Sequence, residues 1–274
     1  MDAIEKGIKE KIEAIGTPLL EWDINIYRGI LTGLNAAFII SGKKKDELIA
    51  RDPKSAEIIR PVLRGRDVFR YKYKFCNYYM ITTFPSLRID INMYPAIKEH
   101  LLSFDIRRLE QSGNIHHVGN RVIKSRKRTS NKWYETQDTI AYWEEFYKQK
   151  IAYNDINSRL SFSFVDAGIM LINTIYFITN NDHMLFLLGI LNSKLIDWYY
   201  RQISAQLGKN AVRMFSIYVY KIPIPVLEPT KEEVFSRLVS KYLEDKGNLS
   251  DLEQEINISV SNLYKLSSKE QSYL

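Results

Sequence analysis

Several features that would assign a function at once are missing from this sequence of 274 residues. Its one cysteine, Cys76, excludes an internal disulfide framework and the paired-cysteine spacing of a zinc finger. No apolar run approaches the roughly 18 residues of a membrane-spanning helix, and no apolar signal core follows Met1. We therefore expect a cytoplasmic protein with no membrane partner.

The sequence also lacks the motifs of several enzyme classes. It contains no G-x-x-x-x-G-K-[ST] nucleotide loop and no G-x-S-x-G nucleophile elbow. Methyl transfer to adenine needs a glycine-rich turn after a first strand and an Asn/Asp-Pro-Pro-Tyr/Phe loop for the extruded base, and both are absent. His116-His117 has no further Cys or His at ligand spacing. No catalytic residue, metal ligand or bound cofactor is therefore assigned to this chain.

Positive charge and tyrosine are what the sequence has in excess. Its 39 Lys and Arg residues against 32 Asp and Glu residues leave a net charge of +7, which favours a polyanionic partner. Its 18 tyrosines combine flat apolar rings with polar tips, which suits recognition surfaces and base stacking. A preference for β-strands explains the same excess equally well. Composition alone thus favours a nucleic-acid partner without deciding it.

The positive charge is concentrated in residues 121–132, called the basic segment below. This segment contains no Asp or Glu, and Trp133-Tyr134 follows it directly. Cations of this density neutralise phosphates, although a charge run of this kind is also typical of a solvated surface loop. The predicted phosphate contacts are Lys124, Arg126, Lys127, Arg128 and Lys132.

Two further segments place polar side chains beside a glycine. Arg64 and Arg66 flank Gly65 and offer two planar donor forks, while a second loop surrounds Gly208. For this second loop, an ordinary connection between a helix and a strand is an equally good interpretation. The predicted base contacts, including one residue of the basic segment, are Arg64, Arg66, Asn131, Gln206, Lys209, Asn210 and Arg213.

Hydrophobic periodicity predicts both helices and strands. Helices are expected over residues 3–15, 94–104, 183–200, 231–245 and 249–265. Strands are expected over residues 150–154, 160–165 and 174–179, with a hairpin formed by 68–75 and 78–84 and a polar loop over 111–132. This mixture predicts an α+β fold, with a mixed sheet, peripheral helices and a C-terminal helical pair.

A series of short motifs runs in order along residues 12–225. The motifs are Gly16-Thr17-Pro18-Leu19, Thr32-Gly33-Leu34-Asn35, Leu63-Arg64-Gly65-Arg66-Asp67, Tyr94-Pro95-Ala96-Ile97, Trp133-Tyr134-Glu135, Leu191-Asn192-Ser193-Lys194 and Ile222-Pro223-Ile224-Pro225. In order and spacing they resemble the TaqI-like C-terminal specificity domain, the target-recognition domain of type II and IIG restriction-modification adenine DNA methyltransferases. The chain departs from that pattern over residues 111–132, where its insertion is longer and more basic.

The resemblance implies sequence-specific recognition of double-stranded DNA by a domain without catalysis of its own. In that family the domain belongs to a larger polypeptide, whose N-terminal methyltransferase domain uses S-adenosylmethionine to methylate adenine. Some members add an endonuclease domain. The implied partners are thus double-stranded DNA and the covalently linked methyltransferase domain. The implied division is a connector helix at residues 1–18, the target-recognition domain at 19–228 and a C-terminal helical segment at 229–274.

Two other functions stay open at this point. Glu144 and Glu145 near Lys148 faintly resemble the carboxylate clusters of metal-dependent nucleases, although the strand-turn-strand layout that would hold a metal is not evident. A divergent metal-dependent nuclease is therefore the leading alternative. A specificity subunit of a multisubunit restriction system is the second. Such subunits usually carry two recognition domains separated by long helices, which this chain does not resemble.

Overall fold

A computed structural model gives the fold and describes residues 2–179, 182–208 and 211–274. The α-helices are α1 (Ala3–Ile15), α2 (Asn35–Phe38), α3 (Gly42–Arg51), α4 (Pro95–Leu102), α5 (Ile106–Leu109), α6 (Met184–Leu191), α7 (Lys194–Ile203), α8 (Ser216–Val219), α9 (Pro229–Leu243), α10 (Leu249–Leu263) and α11 (Ser268–Tyr273). None of the described helices is long and apolar enough to cross a membrane.

The β-strands are short, and most of them pair with strands far away in the sequence. They are β1 (Gly16–Pro18), β2 (Asn25–Arg28), β3 (Ile39–Ser41), β4 (Ile59–Leu63), β5 (Tyr78–Ile81), β6 (Ile115–Val118), β7 (Arg121–Lys124), β8 (Lys150–Asn154), β9 (Ile156–Asn157), β10 (Phe162–Val165), β11 (Met170–Leu171), β12 (Ile175–Thr179), β13 (Gln206–Leu207), β14 (Ala211–Arg213) and β15 (Pro223–Pro225). Helices and mixed sheets together confirm the predicted α+β class.

Two four-stranded sheets form the centre of the molecule. The first has the order β10-β8-β12-β2 and is antiparallel throughout, whereas the second, β11-β4-β5-β3, contains one parallel pair, β11 with β4. Side chains alternate between the two faces of a strand. Accordingly Ile151 and Tyr153 of β8 belong to one apolar core and Ala152, between them, to the next. The sheets therefore separate layers of core.

Helices cover the outer faces of both sheets. Ile8 and Ile12 of α1 share one core with residues of α6, α7, α9 and α10 on the first sheet. On the second sheet, α2, α3 and α4 contribute Phe38, Leu48 and Ile97 to another core. In addition, β1 pairs with β15. Both ends of the chain thus pack on the central region, and the division at residues 18 and 228 stays a prediction.

The predicted hairpin and one predicted helix are wrong. Residues 68–84 do not form a hairpin, because β5 pairs with β3 and β4 instead. Residues 183–200 are two helices rather than one. The break falls at Asn192, whose buried side chain accepts a hydrogen bond from the backbone nitrogen of Phe162 at 3.0 Å and donates to its carbonyl at 2.8 Å. Ser193 then caps α7.

Candidate nucleic-acid interface

The basic segment begins inside a two-stranded ribbon, which corrects the predicted loop. Strands β6 and β7 pair from Ile115 with Lys124 to Val118 with Arg121. Gly119 makes the turn at φ +55°, in the left-handed region that glycine adopts without strain. We call residues 115–124 the basic ribbon. Its strands are adjacent in sequence, so the ribbon forms locally, as a two-stranded sheet of its own.

Arg126, two residues after the basic ribbon, is buried, with only 5% of its surface exposed. Its guanidinium donates hydrogen bonds to the carbonyls of four residues at 2.6–2.9 Å. These carbonyls belong to Thr32, Leu109, Trp133 and Glu135. Burial lowers the pKa of Arg126 to about 10, which still leaves the guanidinium charged at neutral pH. Arg126 therefore fastens the base of the ribbon to the scaffold.

Gly33 makes room for this arginine. It lies at φ +77°, and a Cβ atom there would come within 2.7 Å of the Arg126 Cδ atom and 2.8 Å of Gln137 Oε1. Gln137 in turn donates to Gln111 Oε1 at 3.0 Å, and Gln111 donates to the carbonyls of Glu135 and Thr136. The Thr32-Gly33-Leu34-Asn35 motif is thus part of the seat that holds the basic segment.

Of the remaining predicted residues of the basic segment, one points into the protein and the others are exposed to solvent. Asn131 points inward, because its side-chain nitrogen donates to the carbonyls of Gln137 and Thr136 at 3.0 and 3.3 Å. Four cations are exposed, and none of them is in an ion pair within the described chain: Lys124, Lys127, Arg128 and Lys132. The buried Arg126 leaves the predicted set of phosphate contacts, since its donors are all used inside the protein.

The turn at residues 64–67 likewise contains one cation bonded inside the protein and one that is exposed. The Arg64 guanidinium makes two bonds to Asp67, at 2.8 and 3.0 Å, and lies 3.9 Å from the centre of the Tyr78 ring. Burial raises the pKa of the Asp67 carboxyl, but hydrogen bonds from Arg64 outweigh it and hold the pKa below its ordinary value. Arg66 is exposed and has no hydrogen bond or ion pair among the described residues.

The second loop lies next to this turn. Asn154 donates to the Gly65 carbonyl at 3.0 Å, and β9, which begins two residues later, pairs with β14 so that Ile156 lies opposite Arg213. The Arg213 guanidinium lies 5.3 Å from the centre of the Phe215 ring and is partly exposed. Gln206 lies in β13, and its side chain is not described. The predicted contacts Lys209 and Asn210 fall outside the described residues.

Arg28 is a cation of this surface that the sequence reasoning missed. It is exposed at the end of β2, and its Nε donates to the Asn173 carbonyl at 2.8 Å. Burial raises the pKa of Asp138, and the positive charges of Arg28 and Lys127 both oppose that rise, so both cations lie near one carboxylate. Its position directly before the glycine-bearing segment 29–33 is the only sequence signal that could have found it.

One carboxylate of the nuclease alternative is held in other contacts. Glu145 accepts from Thr179 at 2.5 Å and from Lys148 at 2.8 Å. His116 lies 3.1 Å from the Ser125 hydroxyl. Among the described residues, no three His, Cys, Asp or Glu side chains gather as a metal site requires. The cationic surface is therefore the best-formed candidate site.

Comparison with known families identifies the scaffold that carries this surface. The TaqI-like C-terminal specificity domain matches residues 60–224, a span that includes the 64–67 turn, the basic ribbon and the second loop. The chain belongs to this family. Its α1 helix and its C-terminal helices lie outside the matched span of the specificity domain. No curated protein matches the chain.

Two solved structures share the fold of this specificity domain. One is the Type IIL restriction-modification enzyme MmeI in complex with DNA, with a TM-score of 0.61 and 13% identity over 94% of this chain. The other is the type IIG restriction endonuclease BpuSI, with a TM-score of 0.54 and 12% identity over 99% of this chain. The match spans only 35% and 34% of those two chains, about a third of each.

Proposed function

We propose that this specificity domain recognises a particular site in double-stranded DNA and has no catalytic activity of its own. The observation that carries the proposal is a set of exposed cations, on and beside the basic ribbon, that form no ion pair among the described residues: Lys124, Lys127, Arg128 and Lys132. Unpaired surface cations cost little to desolvate against phosphate and release counterions when they bind it. That MmeI was solved in complex with DNA supports the same partner here.

The surface is wider than the basic ribbon. Segment 28–33 connects Arg28 to the seat of Arg126, because the Thr32 carbonyl accepts from Arg126 and the Arg28 side chain binds Asn173. Asn154, which donates to the Gly65 carbonyl beside Arg66, pairs with Ile175, whose carbonyl accepts from Gly29. Backbone contacts to phosphate fix the register of a protein on a duplex, whereas base contacts specify the sequence. Cations spread over several elements suit the phosphate contacts that fix this register.

A second part of the proposal concerns the other domains of the parent polypeptide. Family membership supports a parent protein that methylates adenine with S-adenosylmethionine in a linked N-terminal domain, in the cytoplasm, with an endonuclease domain in some members. This chain contributes recognition only, because the cofactor turn and the adenine-binding loop do not occur in its sequence. Such a division lets a rigid scaffold clamp the duplex while another domain handles an extruded base.

Salt-dependent DNA binding tests this function. The chain should bind random-sequence duplex DNA at low salt, and the triple variant Lys124→Ala, Lys127→Ala and Arg128→Ala should reduce the slope of log K against log salt by about two to three. A matched control removes the same charge from α9 with Lys231→Ala, Arg237→Ala and Lys241→Ala, and should keep the slope. Equal slopes for the wild type and the triple variant of Lys124, Lys127 and Arg128 would overturn the proposed surface.

Plasmid cleavage tests the nuclease alternative. The chain is incubated with supercoiled plasmid and Mg²⁺ or Mn²⁺, and we expect no nicking, because Glu145 is engaged by Thr179 and Lys148. Metal-dependent cleavage that disappears in Glu144→Gln/Glu145→Gln would establish an enzyme and contradict the recognition-only assignment. A double Asp251→Asn/Glu255→Gln variant on α10 serves as a control for an unspecific loss of negative charge.

A further inference from the structure

The two faces of the basic ribbon differ in chemistry. Directly paired residues of antiparallel strands share a face, so Ile115 and His117 lie on the same face as Lys124 and Val122. Ile115 and Val122 are 57% and 58% exposed, which makes this the outer face. His116 is on the inner face, with its Nε2 at 3.1 Å from Ser125 Oγ.

Hydrogen bonds attach the base of the ribbon to the rest of the protein, so that its outer face stays exposed to solvent. A two-stranded hairpin alone is at best marginally stable. Here Ser125 Oγ donates to the Arg107 carbonyl at 2.7 Å, and the Arg126 backbone nitrogen donates to the Glu110 carbonyl at 2.9 Å. The Gly113 nitrogen returns a bond to the Arg126 carbonyl. Aliphatic side chains displayed on a rigid cationic support indicate a surface that binds a partner.

We propose that the outer face of the basic ribbon enters the major groove and reads base edges there, an inference that rests on the proposed function. The major groove is ~12 Å wide and admits a two-stranded β-ribbon. Strands of this length span ~13 Å, which corresponds to about four base pairs. Ile115 and Val122 contact thymine methyl groups, while His117 and Lys124 bond to purine N7 and O6 atoms.

Charge complementarity selects DNA over an apolar protein partner. Lys124 lies on the outer face itself, Arg121 is exposed beside the turn, and Lys127 and Arg128 follow the ribbon on the same basic segment. An interface core on a protein partner is depleted of charge, whereas a groove-reading element carries cations next to its aliphatic contacts. The flanking cations hold phosphates on either side of the groove while the outer face reads the bases.

Selection from a randomised double-stranded DNA library tests the base reading. The full chain should enrich a sequence motif, and His117→Ala should relax that motif at one position while the salt slope stays unchanged, because a contact to a base edge neutralises no phosphate. A wild-type chain that binds but enriches no motif would overturn the proposed function and this inference together. A motif unchanged by His117→Ala and by Ile115→Ala/Val122→Ala would overturn the inference alone.

Replacing thymine by uracil in the enriched site tests the methyl contacts without altering the protein. Removal of each contacted methyl should weaken wild-type binding about three- to fivefold, the factor expected for one buried methyl group. The Ile115→Ala/Val122→Ala variant should be insensitive to uracil, whereas Val234→Ala, at an exposed valine of α9, should keep the full sensitivity. The aliphatic contacts would be contradicted if uracil did not weaken wild-type binding, or if it weakened binding of the Ile115→Ala/Val122→Ala variant by the same factor.

Discussion

The turn at residues 64–67 and the basic segment at 121–132 both carry arginines on the surface, and each has one inward arginine and an exposed cation beside it. In the turn, Arg64 is bonded to Asp67 while Arg66 is exposed without a partner among the described residues. In the basic segment, Arg126 is buried on carbonyls while Lys127 next to it is exposed. Of two neighbouring cations with the same charge, one therefore holds the fold together while the other is exposed to solvent.

The two inward arginines differ in what neutralises them. Arg64 meets a carboxylate that is only 2% exposed, in a bidentate arrangement that suits the planar fork of a guanidinium. Arg126 forms no ion pair among the described residues and donates to four neutral carbonyls, while the charge of Glu135 partly opposes the lowering of its pKa. The basic segment should consequently depend on its arginine more than the turn does, because among the described residues the carbonyls of Thr32, Leu109 and Trp133 accept from no other donor.

The largest expected effect is at Arg126. Arg126→Met keeps the length of the side chain but leaves buried carbonyls without donors, and should lower the free energy of unfolding by about 3–5 kcal/mol. Urea denaturation followed by circular dichroism measures the loss. Lys127→Met, one residue further on, should stay within about 0.5 kcal/mol. Similar losses in the two variants would remove the distinction between inward and outward cations.

Gly33→Ala tests the seat of Arg126 from the opposite side. The new Cβ combines a left-handed backbone with close approach to Arg126 and Gln137, so we expect a loss of about 2–4 kcal/mol. Gly119→Ala is a matched control, because φ is also positive there but no atom lies within 4 Å of the new Cβ. Its expected loss is about 1 kcal/mol. A Gly33 loss no larger than that of Gly119 would argue against the seat.

Asp67→Asn should cost about 1–3 kcal/mol at pH 7, and the cost should depend on pH. Because the folded state holds the pKa of Asp67 below its unfolded value of about 3.9, the carboxylate stabilises the fold above that pH. The contribution is lost as the pH falls through the folded-state pKa. Denaturation curves of both proteins at pH 7 and pH 3 should therefore converge at the lower pH. A constant difference would exclude the ion pair with Arg64 as the cause.

Arg66→Ala should have the smallest effect on stability, within about 0.5 kcal/mol, because the side chain has no described partner. If Arg66 contacts a phosphate, the same change should reduce the salt slope of DNA binding by about one. Thermal unfolding and a binding titration at several salt concentrations measure the two quantities. A large loss of stability would place Arg66 with the inward residues, and an unchanged slope would remove it from the interface.

Helices with a strong apolar period could be predicted from the sequence. Residues 3–15 form a helix as expected, and the two C-terminal helices begin and end within two residues of the predicted bounds. Their stability depends on one face against a core, which the spacing of apolar residues displays directly. The family motifs also carried enough information to identify the scaffold, which the match over residues 60–224 confirms.

Pairings between distant residues could not be predicted in the same way. Nothing local marks Asn192 as the partner of Phe162, so the continuous apolar run around it predicted one helix. The Gly119-Asn120 pair of the basic ribbon is a two-residue turn signal, but it lies within a polar, basic stretch whose composition predicted a loop. Local propensity is weak where side chains far apart in the sequence decide the conformation.

The sequence by itself determined the α+β class, the family and the concentration of positive charge in one segment, because these depend on residue types, order and spacing. Only the tertiary structure decided which cations face the solvent. Burial of Arg126 depends on carbonyls from residues 32, 109, 133 and 135, and on the missing side chain of Gly33. A guanidinium and an ammonium one residue apart carry the same charge, and their different tasks arise only when the chain brings those carbonyls together.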